Sequence, residues 1–170
     1  MDFASLIRDV PDFPVQGILF KDITTLLTNP QAFHHVVDNL VERFRDRRID
    51  LVAAIESRGF IFGAPLAYQL GAGFVPVRKP HKLPADKISE EYSLEYGTNV
   101  LEMHTDAVMP GQRVLVVDDL LATGGSARAT VNLVERLGGT VVGVAFLIEL
   151  TFLNGVEKLR GYDVYSIIKY

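Results

Sequence analysis

Residues 114–126 read Val-Leu-Val-Val-Asp-Asp-Leu-Leu-Ala-Thr-Gly-Gly-Ser, and the fold follows from how this stretch is parsed. Four apolar residues, Val114, Leu115, Val116 and Val117, form an unbroken run, the pattern of a strand buried on both faces in a parallel sheet. Asp118 and Asp119 stand where that strand is expected to end in solvent. Leu120, Leu121 and Ala122 follow, then a Thr123-Gly124-Gly125-Ser126 turn. Beyond it, Thr130, Leu133, Val134 and Leu137 recur at helical spacing, and Gly138-Gly139 stops the helix. The unit is therefore strand, acidic end, glycine-rich turn, helix.

Each part carries a chemical reading. Glycines let backbone N–H groups approach a phosphate closely, and a helix N-terminus adds partial positive charge. Thr123 and Ser126 supply hydroxyls. Two carboxylates beside a phosphate cradle repel phosphate but suit the vicinal hydroxyls of a sugar, directly or through a metal. The pattern points to a sugar phosphate, with its phosphate in the turn and its diol on the acids. A surface turn with two solvated acids is the plainer alternative. The pattern disfavours a P-loop, because no Gly-Lys-Ser/Thr follows the glycines.

The same plan occurs once more. Leu51–Ile55 is an apolar run, followed by Glu56-Ser57-Arg58-Gly59 and a helical stretch from about Phe60 to Leu70 that Gly71 ends. Ligands in open α/β sheets sit at the carboxyl ends of strands, so two such turns side by side would hold the two ends of one phosphorylated ligand. Arg58 is the group there best suited to an anion, with a structural salt bridge as the alternative.

The rest of the chain frames these units. Residues 2–10 place Phe3, Leu6, Ile7 and Val10 on one side of one or two amphipathic turns that Pro11 ends. Residues 12–22 read as a loop broken by Pro14 and Gly17. Asn29 as N-cap and Pro30 at the first position open a helix whose stripe is Phe33, Val36, Val37, Leu40, Val41 and Phe44. His34 and His35 are read as ordinary members of it. Arg43, Arg45, Arg47 and Arg48 gather near its C-terminus, where cations are favoured. A strand is expected over 74–77 and an aperiodic, basic, proline-containing loop over 78–87, a mobile lid or a solvated loop. Alternating Tyr92, Leu94 and Tyr96, a Gly97-Thr98 turn and 100–103 read as a hairpin, with Glu95 on the opposite face. A long strand over 140–148, a short helix over 152–159 and a last strand over 163–168 complete an α/β, doubly wound, mostly parallel sheet.

Composition bounds the function. The 170 residues suit one domain with a sizeable core. A net charge of −4 leaves no basic footprint for nucleic acid. The absence of cysteine excludes disulfides and thiolate metal sites. The segment after Met1 lacks the apolar core of a secretory leader, and 141–150 is too short to span a bilayer, so a cytoplasmic protein with no membrane partner is expected.

Residues 114–126 also resemble the phosphoribosyl pyrophosphate (PRPP) signature of type I phosphoribosyltransferases, in the form carried by members that act on adenine. Other stretches match the same branch: Asp12-Phe-Pro-Val-Gln-Gly-Ile-Leu-Phe-Lys-Asp22, Ser57-Arg58-Gly59, and Tyr92-Ser-Leu-Glu-Tyr-Gly97. The resemblance covers nearly the whole chain. It implies a single domain with an N-terminal hood over about 1–30 and a β-hairpin lid over about 78–104. It implies transfer of phosphoribosyl from PRPP to adenine, giving AMP and pyrophosphate, with Mg²⁺ riding on substrate oxygens rather than on a direct protein site, and a homodimer. By the same likeness Asp118 and Asp119 hold the ribose, and Ala122, Thr123, Gly124, Gly125 and Ser126 the 5′-phosphate. Ser57, Arg58, Gly59, Lys79 and Lys82 meet pyrophosphate, the loop being often entered through a cis peptide. The backbone at Leu19 reads the base, Phe20 stacks on it, Lys21 stands where some members carry Arg, and Arg58 packs against the purine. Glu95 matches the acid that handles a proton near the purine. The same fold acting on another base, and a non-enzymatic PRPP or purine sensor, are the competing readings. The cap at 12–22 and the Asp-Asp pair disfavour the first, and the lack of a DNA-binding module disfavours the second.

Overall fold

The structure, a computed structural model, describes residues 1–94 and 96–170, so the expectations for Glu95 lie outside the described residues. The chain divides into two compact units, Met1–Asn39 and Leu40–Tyr170. The expected hood lies within the first and the expected lid within the second.

In the first unit, of the one or two turns expected over 2–10, one forms. A single 3-10 turn, Ala4–Leu6, is capped by the Asp2 carboxylate accepting from Ala4 N–H at 3.1 Å. The chain then extends as β1 (Arg8–Pro11), antiparallel to β2 (Leu19–Asp22). Nine residues are too few to hold an isolated helix, whereas pairing satisfies the backbone at once. Cross-strand ion pairs, Arg8–Asp22 at 3.4 Å and Lys21–Asp9 at 2.6 Å, reinforce the register. Part of the stretch read as a loop is thus strand. A short helix α1 (Thr24–Leu27) leads to α2 (Pro30–Phe44), which starts as read: Asn29 Oδ1 accepts from Ala32 N–H at 3.1 Å. Val36, Val37, Leu40 and Phe44 are buried, while His34 and His35 face solvent.

The second unit runs β3 (Leu51–Ile55), α3 (Arg58–Leu70), β4 (Gly73–Val77), β5 (Lys87–Ser93), β6 (Thr98–His104), β7 (Arg113–Leu121), α4 (Gly125–Arg136), β8 (Thr140–Glu149) and β9 (Val164–Lys169). Five strands form a sheet in the order β4-β3-β7-β8-β9, every neighbouring pair parallel. β5 and β6 form a separate antiparallel hairpin. One core joins β3 and β4 (Ala53, Ile55, Val75, Val77) to the hairpin (Leu101, Met103) and α4 (Leu133, Val134). Another joins Val116, Val144 and Phe146 to Ala127, Val131 and Leu159.

Three differences from the sequence reading bear on the site. β7 continues through both acids to Leu121, because the ten-residue β8 pairs with it as far as Leu121↔Glu149. The hairpin begins at Lys87, so its strand takes the end of the expected loop. Leu94 and Tyr96 sit in its turn, 42% and 88% exposed, where Leu94 N–H donates to Gly97 O at 2.9 Å. The helix expected over 152–159 is two 3-10 pieces, Thr151–Leu153 and Gly155–Leu159, parted by Asn154 in the left-handed region at φ 53°. The arginine cluster serves the fold: Arg43 and Arg47 both pair with Asp163, at 2.8 and 2.6 Å.

Candidate active site

Because β3 and β7 are adjacent and parallel, both turns that follow them open at the same edge of the sheet. Gly59, in the first turn of α3, lies against β7 so closely that a Cβ there would come within 3.0 Å of Asp118 Oδ1 and 3.1 Å of Val117 O. Arg58 Nε donates to Asp119 Oδ2 at 2.5 Å, tying the two turns together. The site residues read from the two motifs therefore converge, and the ion-pair alternative for Arg58 is realised as well.

The acids do not stand at a solvated strand end. Asp118 is 8% and Asp119 6% exposed, since β7 runs past them. Asp118 Oδ1 accepts from Asp119 N–H at 2.8 Å. Burial, then the neighbouring Asp119 charge, holds the Asp118 carboxyl well above the usual carboxylate range, against the opposing pull of Arg58. Among the described residues no group of three or more His, Asp and Glu side chains is placed to hold a metal ion. A carboxylate pair facing a cavity suits a divalent cation that arrives on a substrate and keeps few protein ligands.

The turn after β7 is shaped by an element with no place in the motif. Gly124 has φ +83°, and a Cβ there would meet Gly155 O at 2.4 Å; one on Gly155 would meet Ala122 O at 2.2 Å. Two glycines thus let the 3-10 segment seat the turn. Gly124 is the N-cap of α4, and no side chain among the described residues caps that helix. Its first-turn amides and dipole face the cavity as an anion site requires. The hairpin closes one wall, with the Tyr92 ring 2.8 Å from where a Gly125 Cβ would stand. The resulting cavity of about 240 Å³ is lined by Arg58, Asp118, Asp119 and 122–127, with Tyr92 and Leu94 from the hairpin.

Beside it, the Glu56–Ser57 peptide is cis. The Glu56 side chain, 6% exposed, accepts from Arg78 Nε at 3.1 Å, Lys79 N–H at 2.8 Å and Lys82 Nζ at 3.0 Å. Burial pushes its pKa up, but the Lys79 amide, the Lys82 hydrogen bond and charge, and the Arg78 charge together bring it below the usual value. The loop over 78–82 is therefore anchored beside Ser57, and Leu83 is buried. Leu19, Phe20 and Lys21 belong to the first unit: Phe20 packs edge-on against Phe13 at 5.1 Å, and Lys21 pairs with Asp9.

Sequence reasoning passed over Glu56, Tyr92 and Gly155. Asn154-Gly155 marks a turn in any sequence. Tyr92 shows only as an alternating strand residue, and Glu56 only as the acid before Ser57. Their partners are remote in the chain, and no local signal names them.

Residues 22–166 match the model of the phosphoribosyl transferase domain. An adenine phosphoribosyltransferase from Chloroflexus aurantiacus is 62% identical over 99% of this chain and 98% of its own. The crystal structure of an adenine phosphoribosyltransferase from Thermoanaerobacter pseudethanolicus superposes with a TM-score of 0.97 at 58% identity, covering 99% of this chain and 98% of that one. The Saccharomyces cerevisiae enzyme, solved with an imino-altritol bisphosphate and adenine, superposes at 0.91 with 40% identity, covering 98% and 96%. On a family match across most of its length and this identity to relatives of the same size, the chain belongs to the adenine phosphoribosyltransferases of the phosphoribosyl transferase family.

Proposed function

We propose that this protein transfers the phosphoribosyl group of PRPP to adenine, forming AMP and pyrophosphate as a purine-salvage enzyme. The observation that carries this reading is the single cavity shared by the Asp118–Asp119 pair, Arg58 and the glycine turn that opens α4. The turn 122–126 takes the 5′-phosphate on its amides and on the Thr123 and Ser126 hydroxyls. The ribose hydroxyls donate to Asp118 and Asp119. Ser57, Arg58, Gly59, Lys79 and Lys82 receive the pyrophosphate, and Leu19, Phe20, Lys21 and Arg58 the adenine. Mg²⁺ carried on the substrate would supply charge neutralisation for the leaving group, and Asp118 and Asp119 are the residues that would meet it.

As the bond from the ribose anomeric carbon to pyrophosphate breaks, adenine N9 forms the new bond to that carbon. Its imidazole ring loses a proton, for which Glu95 is the proposed acceptor. Positive charge spreads over the ribose ring, as in glycosyl transfer generally. The buried acids lie where that charge develops, and their low-dielectric setting strengthens the attraction. Holding both phosphorylated ends of PRPP fixes the anomeric carbon for attack. The hairpin tip then serves as lid and excludes water.

Incubating the protein with PRPP, Mg²⁺ and each of adenine, hypoxanthine, xanthine and orotate in turn tests the reading. Rapid AMP formation, with the other bases slower by orders of magnitude, is expected. Preference for another base would overturn the adenine assignment, and no turnover with any base would overturn the enzymatic one. A homodimer is proposed on family likeness and is read by light scattering.

A further inference from the structure

Glu56, whose side chain is largely covered, has no part in the proposed transfer chemistry. Glu56 accepts three bonds, all from five consecutive residues of the basic loop: Arg78 Nε, Lys79 N–H and Lys82 Nζ. Its side chain is 6% exposed, whereas those of Lys82 and Arg78 are 47% and 34% exposed. The acid is thus the fixed partner and the lysine the movable one. A flexible four-carbon stem lets Lys82 swing, while the Lys79 amide and Arg78 keep the loop in place when it does. Glu56 also directly precedes Ser57, where the pyrophosphate turn begins.

We infer that Glu56 is an internal counter-anion to pyrophosphate, holding Lys82 in the free protein and yielding it to the bound anion. The inference rests on the reading that Lys82 meets pyrophosphate. Its consequence is a ceiling on product affinity. A cation already engaged by a carboxylate loses that contact before it gains the new one, and the remaining negative charge repels the anion. Pyrophosphate is thereby held loosely enough to leave.

The prediction has a sign that structural damage does not share. A positioning residue whose loss merely loosens the loop weakens binding when it is replaced. Glu56→Gln keeps the shape and an acceptor for the Lys79 amide but removes the charge. It is expected to bind pyrophosphate more tightly, by about three- to tenfold, the scale of one unit charge acting across about 4 Å through water. The effect passes through Lys82, so Glu56→Gln on a Lys82→Met background is expected to change binding less than twofold.

The experiment is calorimetric titration of the full chain with inorganic pyrophosphate in excess Mg²⁺, for the parent, both single variants and the double variant. Thermal melting checks that each is folded. Should Glu56→Gln melt early, Glu56→Asp, which draws the carboxylate back from Lys82, takes its place with the same expected sign and a smaller size. Tighter binding that vanishes without Lys82 supports the inference. Unchanged or weaker binding in Glu56→Gln, with Lys82→Met still weakening binding, overturns the counter-anion role and leaves the pyrophosphate reading standing. A Lys82→Met protein that binds pyrophosphate like the parent overturns both.

Discussion

Asp118 and Asp119 are adjacent in the chain yet held differently. Asp119 rests on Arg58, while Asp118 carries the cost of burial beside a like charge. Asp118→Asn removes that repulsion without changing shape, so the variant is expected to melt no lower than the parent while turnover falls by at least about 100-fold, the scale of a lost electrostatic group. Steady-state AMP formation and a melting curve together check this; near-normal turnover would remove Asp118 from the reaction. The Glu56 carboxyl shifts the other way. Its folded pKa lies below the ordinary 4.5, so the stability it contributes is present above the unfolded pKa and is lost as pH falls through the folded one. Melting temperature followed from pH 7 downward should therefore drop less steeply below about pH 4.5 in Glu56→Gln than in the parent. Parallel acid limbs would show that the carboxylate's contacts contribute nothing to the fold.

At the scale of elements, the turn that opens α4 depends on neighbours that approach too closely for any side chain. Gly155→Ala drives a Cβ into the Ala122 carbonyl, a backbone atom that cannot move aside cheaply. The turn must shift, and a stability loss of roughly 1–3 kcal/mol is expected, with a higher KM for PRPP than for adenine. Equal KM values to the parent would mean that the turn tolerates displacement. The hairpin and the basic loop invite a proteolytic comparison. Loop 78–82 is pinned by Glu56 and Leu83 is buried, whereas Tyr96 is 88% exposed at the hairpin turn. Chymotrypsin is expected to cut first at the hairpin tip and trypsin to be slow over 78–87, with tip cutting suppressed by PRPP and Mg²⁺. Early tryptic cleavage after Lys79 or Lys82 would show that the anchor opens readily.

Across the whole molecule, the proposed ligand joins the turns after β3 and β7, the elements on which α3 and α4 begin. Ligand that binds only the folded state stabilises it by about 2.7 kcal/mol at one hundred times Kd. PRPP with Mg²⁺ is therefore expected to raise the melting temperature of the parent by several degrees. In the Asp118→Asn, Asp119→Asn double variant the rise should shrink markedly, because the proposed ribose anchors are gone. An undiminished rise would place the sugar elsewhere.

The sequence by itself determined the α/β class, the strand β3 and the apolar part of β7, the helices α2, α3 and α4, and the two motifs, at 57–59 and 118–126, that meet at the cavity. Each rests on local rules: unbroken apolar runs for strands buried on both faces, helical periodicity with Asn29 and Gly71 at the ends, and glycines at the tight turn that opens a helix. Tertiary structure decided what depends on residues far apart in the chain. The length of β7, and so the burial of both acids, is set by pairing with β8 some thirty residues on. Strand pairing with 19–22, not periodicity, chose extended chain over helix at 8–11. The same holds for Tyr92 over Gly125, Gly155 beneath Gly124, and Glu56 under Lys82. A local pattern specifies what a residue can do, and only the packed chain specifies which distant group it meets, because burial and charge pairing are properties of the neighbours that folding assembles.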